Sequence, residues 1–313
     1  MDTTRTAIVA GAAATAIVGA SVPVTGMLDD YPVLTGQAVR YGIGGVALLA
    51  WAMVRRLPLP RPSARDLPWL LGVVVTGMLG FNACLLAAQS HADPGFVAAV
   101  LGLTPLSIAL LAPLATRQKP AMAVVLGAGV VVVGIVVLSG GGAWRGPGLL
   151  LAALAMAGEA SFTLLAVRPV RRLGGFAVAT YGCLLATVLG FATGLAVEGP
   201  ELRMPTAVEA GAIVLLGLLV TAVAFVCWYR GVDVLGADRA GVLIGLMPVS
   251  GLIVSVALGA QALTVAAVIG TVLVAIGCAV GLRSGSRQEQ PAAGEPLRDN
   301  ENQARNGPVT SNV

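Results

Sequence analysis

Apolar residues run along this chain in long blocks, each about 20 residues and separated by short polar breaks. Ten such blocks occur, at roughly 7–26, 33–54, 68–88, 95–115, 120–139, 148–167, 175–196, 207–229, 240–258 and 262–282. None alternates with a period of two, which excludes membrane-spanning strands. A helix satisfies all its backbone hydrogen bonds within itself, so it is the form such a run takes in a bilayer. The pattern predicts an all-α integral membrane protein with ten transmembrane helices.

The pattern also repeats. Residues 95–139 align with 238–282 without a gap, at an offset of 143. Gly102 falls on Gly245, Pro105 on Pro248, Gln118 on Gln261, Gly127 on Gly270 and Gly134 on Gly277. Each half holds five spans. Because five is odd, the second half enters the membrane from the other side, giving two inverted five-helix repeats. The expected organisation is a cytoplasmic N-terminus over 1–6, a first repeat over 7–139 and an outer Gly-rich linker over 140–147. A second repeat over 148–282 follows, then a disordered cytoplasmic tail over 283–313, polar and rich in Gln, Asn and Pro.

Composition strengthens this reading. Hydrophobic residues make up 57% of the chain and charged ones 11%, less than half the charged share of a soluble domain. The 41 glycines would weaken helices in water but let helix backbones approach closely in lipid. The pairs Ala98/Gly102, Gly241/Gly245 and Gly190/Gly194 read as general tight packing. Cys84, Cys183, Cys227 and Cys278 lie inside spans and read as packing residues. Charge sets orientation. Arg55, Arg56, Arg61, Arg65, Arg117, Lys119, Arg168, Arg171, Arg172, Arg230 and Arg239 fall on the side of the termini. The opposite loops hold Arg145 and Arg203 with Asp29, Asp30, Asp93, Glu198 and Glu201. By the positive-inside rule both termini are cytoplasmic. The net charge of +4 therefore reports topology and does not indicate nucleic-acid binding.

Few polar side chains lie deep in the spans. Glu159 is the carboxylate at mid-helix, about 16 Å from the outer end of span six by the helical rise. A charge there costs about 2.5–3.5 kcal/mol on insertion scales. It reads as a proton acceptor or an anchor for a substrate amine, against a purely structural carboxylate. Arg40 in span two either snorkels outward or turns inward to pair with Glu159. Asn82 and Gln89 share a face of span three with Leu85 and Leu86. At the same offset, Phe225, Trp228 and Val232 form the equivalent stripe of span eight, extended by Thr221. Phe162 follows Glu159 by three residues on span six. A polar stripe facing an aromatic one suits an amphiphilic or aromatic solute. Trp228 could instead be an interfacial anchor, and Tyr229, Trp51, Trp69 and Trp144 read as such anchors. Pro105 and Pro248 free the carbonyls of Leu101 and Ile244 and predict matched helix bends suited to gating. His91 reads as a solvated loop histidine.

Other chemistries lack their motifs. No phosphate-binding loop is present, so ATP is not expected as a partner. No hydrolase signature, metal-ligand spacing or filter-like loop occurs, and no cofactor is expected.

These residues resemble the drug/metabolite transporter superfamily, in its EamA-type ten-helix branch, over about residues 7–283. The resemblance rests on Pro32 with Arg40-Tyr41, on Trp228-Tyr229-Arg230-Gly231, on Gly236-Ala237-Asp238-Arg239-Ala240, on Pro105 and Pro248, and on the glycine pairs 127/134 and 270/277. It implies an inner-membrane carrier, often an exporter of amino acids, metabolites or drugs. It also implies a cavity lined by the first four helices of each repeat, with the fifth and tenth outside it. Many relatives carry Glu nine residues before the first glycine of each pair, where this chain has Gln118 and Gln261. That departure makes Glu159 the more exclusive candidate for proton coupling and keeps a facilitative exchanger open. The reading is a secondary carrier exporting a small metabolite, amino acid or amphiphilic drug by alternating access, as a monomer or homodimer. The alternative is a non-transporting membrane partner protein on the same fold.

Overall fold

The structure, a computed structural model, describes residues 3–28, 31–92, 94–115, 119–140, 143–199, 203–257, 259 and 262–283. Gln118, Gln261, Arg117, Asp29, Asp30, Asp93, Glu201, Gly141, Gly142 and the tail after 283 lie outside the described residues.

Ten helices are long and apolar enough to cross a membrane. They are α1 (Thr3–Ala20), α2 (Val33–Arg55), α3 (Leu67–Gln89), α4 (Phe96–Pro113), α5 (Met122–Ser139), α6 (Gly148–Leu173), α7 (Gly175–Val197), α8 (Ala207–Leu235), α9 (Ala237–Ala257) and α10 (Val265–Leu282). The described residues contain no strand, only an isolated bridge between Ala92 and Trp144. The face where α1 begins and α10 ends is called the terminal face, and the other the opposite face.

Two helices run further than their apolar blocks. Helix α6 continues to Leu173 and carries Arg168, Arg171 and Arg172 within it, and α8 continues to Leu235. Their arginine stems can lie along apolar surface while the charges complement the helix C-terminus. One-residue connections follow, at Gly174 and Gly236, with φ of 83° and 84°. An L side chain rarely adopts that conformation, which explains the glycines.

Helices α5 and α10 pack along each other, as do α2 and α7. A Cβ on Gly127 would lie 2.7 Å from the Gly277 carbonyl oxygen, and one on Gly270 would lie 2.6 Å from the Gly134 oxygen. Exchanging the halves turns the first contact into the second, as an inverted two-fold requires. Between α2 and α7, Gly190 meets Ala38 and Gly194 meets Thr35, so this small-residue pair serves internal packing. The remaining helices interlock across the repeats. Helix α6 packs on α3 and α4, while α1 packs on α8 and α9.

Two departures from regular geometry recur at the repeat offset. Residues Val73–Gly80 in α3 and Leu216–Val223 in α8 are both π-helical, and their bounds differ by 143. Such turns are rare and favour functional sites. Helix α4 is broken between Leu101 and Thr104, and α9 tightens to a 3₁₀ turn over Leu243–Gly245. Both interruptions lie just before a proline, Pro105 or Pro248, which cannot donate a hydrogen bond to the preceding turn.

Candidate functional site

A cavity of about 530 Å³ lies between two groups of helices, α3–α4–α6 on one side and α1–α8–α9 on the other. Side chains from α1, α2, α3, α6, α8 and α9, together with Ser21 and Thr25 just beyond α1, line it. It runs from mid-membrane to the opposite face, where Thr25 and Gln89 are exposed at its rim.

Its floor is aromatic. Phe162 sits 4.9 Å from Phe225 and 5.2 Å from Tyr229, centroid to centroid, and Tyr41 sits 6.3 Å from Phe225. Gly77 lets α3 reach the backbone of Phe162, and Gly158 lets α6 reach Phe81. These close approaches set the width of the floor.

Its walls carry a small polar inventory. Glu159 is partly buried and accepts a 2.9 Å hydrogen bond from the Thr104 hydroxyl. Most hydroxyls in these helices bond a carbonyl four residues back, as Thr15, Thr76, Thr180 and Thr187 do. Thr104 stands at the first turn after the break in α4, and its hydroxyl goes to Glu159 instead. Across the cavity, Tyr41 Oη accepts from Arg40 Nη2 at 3.0 Å and from Asn82 Nδ2 at 3.1 Å. Arg40 also lies over the Tyr41 ring. Three buried polar atoms on lining residues have no partner among the described residues: Gln37 Oε1, Arg40 Nε and Trp228 Nε1.

Below the floor the terminal face is closed. Gly175 at the start of α7 lies against Tyr229 of α8. Asp66 accepts from Arg172 and from the Ser63 backbone and hydroxyl. Burial alone would raise the Asp66 carboxyl, but these bonds outweigh it and hold it below the usual carboxylate range. On the opposite face Pro32 cannot cap α2 with a side chain. Glu198 at the end of α7 does so instead, accepting from Leu34 N, Thr35 N and Thr35 Oγ1 at 2.7, 3.0 and 2.9 Å. Thr206 and Glu209 form a capping box at the start of α8, with Arg203 paired to Glu209.

Residues 5–140 and 146–283 each match the EamA-like transporter family. The chain belongs to that family. Among curated relatives, the uncharacterized transporter YetK of Bacillus subtilis is 29% identical over 259 residues, covering 80% of this chain and 78% of its own length. A "probable terminal-alkyne amino-acid exporter" of Streptantibioticus cattleyicolor is 29% identical over 237 residues, covering 73% and 76%. A crystal structure matches with a TM-score of 0.76 and 25% identity, covering 88% of this chain and 96% of that one.

In this EamA-like transporter the structure gathers most of the residues singled out from sequence. Glu159, Arg40, Asn82, Gln89, Phe162, Phe225 and Trp228 all line the one cavity. Four expectations need correction. Arg40 turns inward but does not pair with Glu159: its bond goes to Tyr41, while Glu159 is held by Thr104. Thr221 does not extend the lining stripe. It lies in the π-helical stretch, whose wider turn rotates it toward α2, where it packs on Gly44. Val232 is 3% exposed and lies outside the lining. Tyr229 is 1% exposed and stacked on Phe162, so it belongs to the floor rather than the membrane interface. Trp51 and Trp144 are 54% and 48% exposed, as anchors would be. Pro105 and Pro248 lie beside the helix interruptions, away from the lining.

Sequence reasoning passed over Gln37, Thr104 and the role of Tyr41. Gln37 had a usable signal: it lies one turn before Arg40, on the same helix face. Thr104 had none, because its partner depends on a break in the helix.

Proposed function

We propose that this protein is a secondary carrier that exports a small amphiphilic metabolite, amino acid or drug by alternating access. The observation that carries the reading is the cavity itself. It lies between two helix groups that each draw on both repeats, is sealed toward one face and open to the other, and holds one carboxylate at mid-helix among its lining residues. The terminal face carries Arg55, Arg56, Arg61, Arg65, Arg168, Arg171 and Arg172, and this supports placing it in the cytoplasm. The structure then corresponds to a state open to the outside of a plasma membrane. The relative described as an amino-acid exporter supports the substrate range and the direction.

Glu159 is assigned the proton. It is the carboxylate of the lining, and a carboxylate that gains a proton removes a charge that would otherwise oppose closure around it. The test is transport in proteoliposomes with Glu159→Gln. Uphill, pH-driven accumulation is expected to fall at least tenfold, with trans-stimulated counterflow retained. Undiminished pH-driven accumulation in the variant would remove Glu159 from the coupling. Absence of counterflow in the native protein would leave a non-transporting partner protein as the reading.

A further inference from the structure

We propose that the substrate of this cavity carries a carboxylate and that Arg40, bonded to a Tyr41 hydroxyl that Asn82 in turn fixes, receives it. This rests on the reading of the cavity as the transport site.

Arg40 is the cation of the lining, and among the described residues no carboxylate pairs with it. Glu159 bonds Thr104, and Asp66, Glu198 and Glu209 are engaged at the two faces. The guanidinium uses one Nη2 bond on Tyr41, and its Nε is buried without a partner. An arginine placed within the membrane normally has a counter-ion or carbonyls around it, so this one is incomplete. The group that completes it is an acceptor of matching geometry, and the planar guanidinium fork matches a carboxylate.

The neighbours fit the same group. The Tyr41 oxygen accepts two bonds, from Arg40 and Asn82, which leaves its own proton to donate. Asn82 Nδ2 also bonds the Met78 carbonyl at 2.6 Å, which fixes the amide with its nitrogen toward Tyr41. Arg40 and Tyr41 together therefore present donors to one acceptor-rich ligand. Gln37, one turn away and 8% exposed, adds a buried unpartnered amide oxygen suited to an N–H next to that carboxylate. The apolar body of the ligand would lie on Phe162, Phe225 and Trp228.

The charge balance gives this subsite a role in the cycle. An empty cavity would close around an unneutralised guanidinium, whereas a carboxylate-loaded one closes around an ion pair. The ligand thereby favours the closed form by its differential affinity for it. The body can vary in shape so long as the carboxylate is kept.

The test measures binding to the full-length protein in nanodiscs by intrinsic fluorescence, using acid and amide pairs. The pairs are L-phenylalanine with L-phenylalaninamide, L-leucine with L-leucinamide, and 3-phenylpropanoate with 3-phenylpropanamide. At least one acid is expected to bind tenfold or more tightly than its amide. Arg40→Gln should abolish that preference, and Tyr41→Phe should reduce it several-fold. Arg40→Lys keeps the charge, loses the fork, and should also reduce it several-fold, which serves if Arg40→Gln does not fold. The proposal is overturned if no pair shows an acid preference, or if the preference survives unchanged in the folded variants. Acid preference without counterflow would sink the carrier reading and leave the carboxylate subsite standing. Counterflow without acid preference would do the reverse.

Discussion

The wall of α3 and the wall of α8 occupy equivalent places in the two halves, and they differ in chemistry. Positions 82, 85, 86 and 89 are Asn, Leu, Leu and Gln, while their counterparts 225, 228, 229 and 232 are Phe, Trp, Tyr and Val. Each set follows a π-helical stretch at the same repeat position, so the backbone frame is shared. On α8 the rings close the floor against Phe162. On α3 the polar and aliphatic set lines a cavity open to the opposite face.

An inverted repeat can exchange the conformations of its halves. Closing the opposite face would then bring together the counterparts of Phe162, Phe225 and Tyr229, which are Gly19, Asn82 and Leu86. Ring pairs contribute about 0.5–1.5 kcal/mol each beyond their buried area. The present closure has two such pairs reaching from α6 to α8, and the reciprocal closure would have none. Under the proposed alternating access, the backbone would supply two interchangeable states and the side chains would weight them unequally, in favour of the one observed.

Removing the rings should loosen the terminal face most. Phe162→Leu keeps an apolar side chain but loses both ring pairs, worth about 1 kcal/mol or more together. The readout is maleimide labelling of Cys227, which is partly buried beside the floor, in a Cys84→Ala background. Labelling should rise about fivefold or more; an unchanged rate would show that the rings do not hold the terminal face shut. Building rings on the other wall should act in the same direction more weakly. Asn82→Phe with Leu86→Tyr faces glycine at position 19, so no ring pair reaches across the closure and only added apolar contact remains; a rise of about twofold or less is expected. A fall in labelling would contradict the proposed exchange of halves.

The smallest effect concerns the Asp66–Arg172 pair, which lies within the α3–α4–α6 group and does not bridge the two groups. The Asp66 carboxyl is held below its ordinary value, so it stabilises the fold above the unfolded pKa, about 3.9. That contribution disappears as pH falls through the lower folded value. Asp66→Asn should therefore melt earlier than the native protein at pH 7, and the gap should shrink as the pH is lowered below about 4. Labelling of Cys227 should stay at the native rate. A large rise would place this pair in the gate after all.

Much of the architecture was legible because membrane burial demands long apolar runs and because Pro105/Pro248 and the glycine pairs survive at one offset. The π-helical turns were not legible. Helices that face lipid on one side and apolar neighbours on the other show no polar periodicity, so a change in residues per turn leaves no mark. That hidden rotation explains the misplacement of Thr221. Tyr229 was misread for a related reason: a Trp-Tyr pair near a helix end marks an interface by composition, yet Phe162 stacks on the buried ring and Gly175 admits its Cβ and backbone. Glu159 was found because a lone mid-span carboxylate is costly. Its partner Thr104 was not, since hydroxyls in such helices ordinarily bond their own backbone.

By itself the sequence determined ten spans, two halves of odd count, their inversion and the set of polar residues that must be accommodated. These follow from hydropathy, length and parity, which are local or additive properties. Only the tertiary structure decided which polar groups meet. Arg40 reaches Tyr41 instead of Glu159, Thr104 reaches Glu159 across a broken helix, and Gln37 and Trp228 are left with unpartnered atoms at the cavity. Pairing depends on the rotation and spacing of neighbouring helices, and these are set by backbone contacts at small residues rather than by the polar residues themselves.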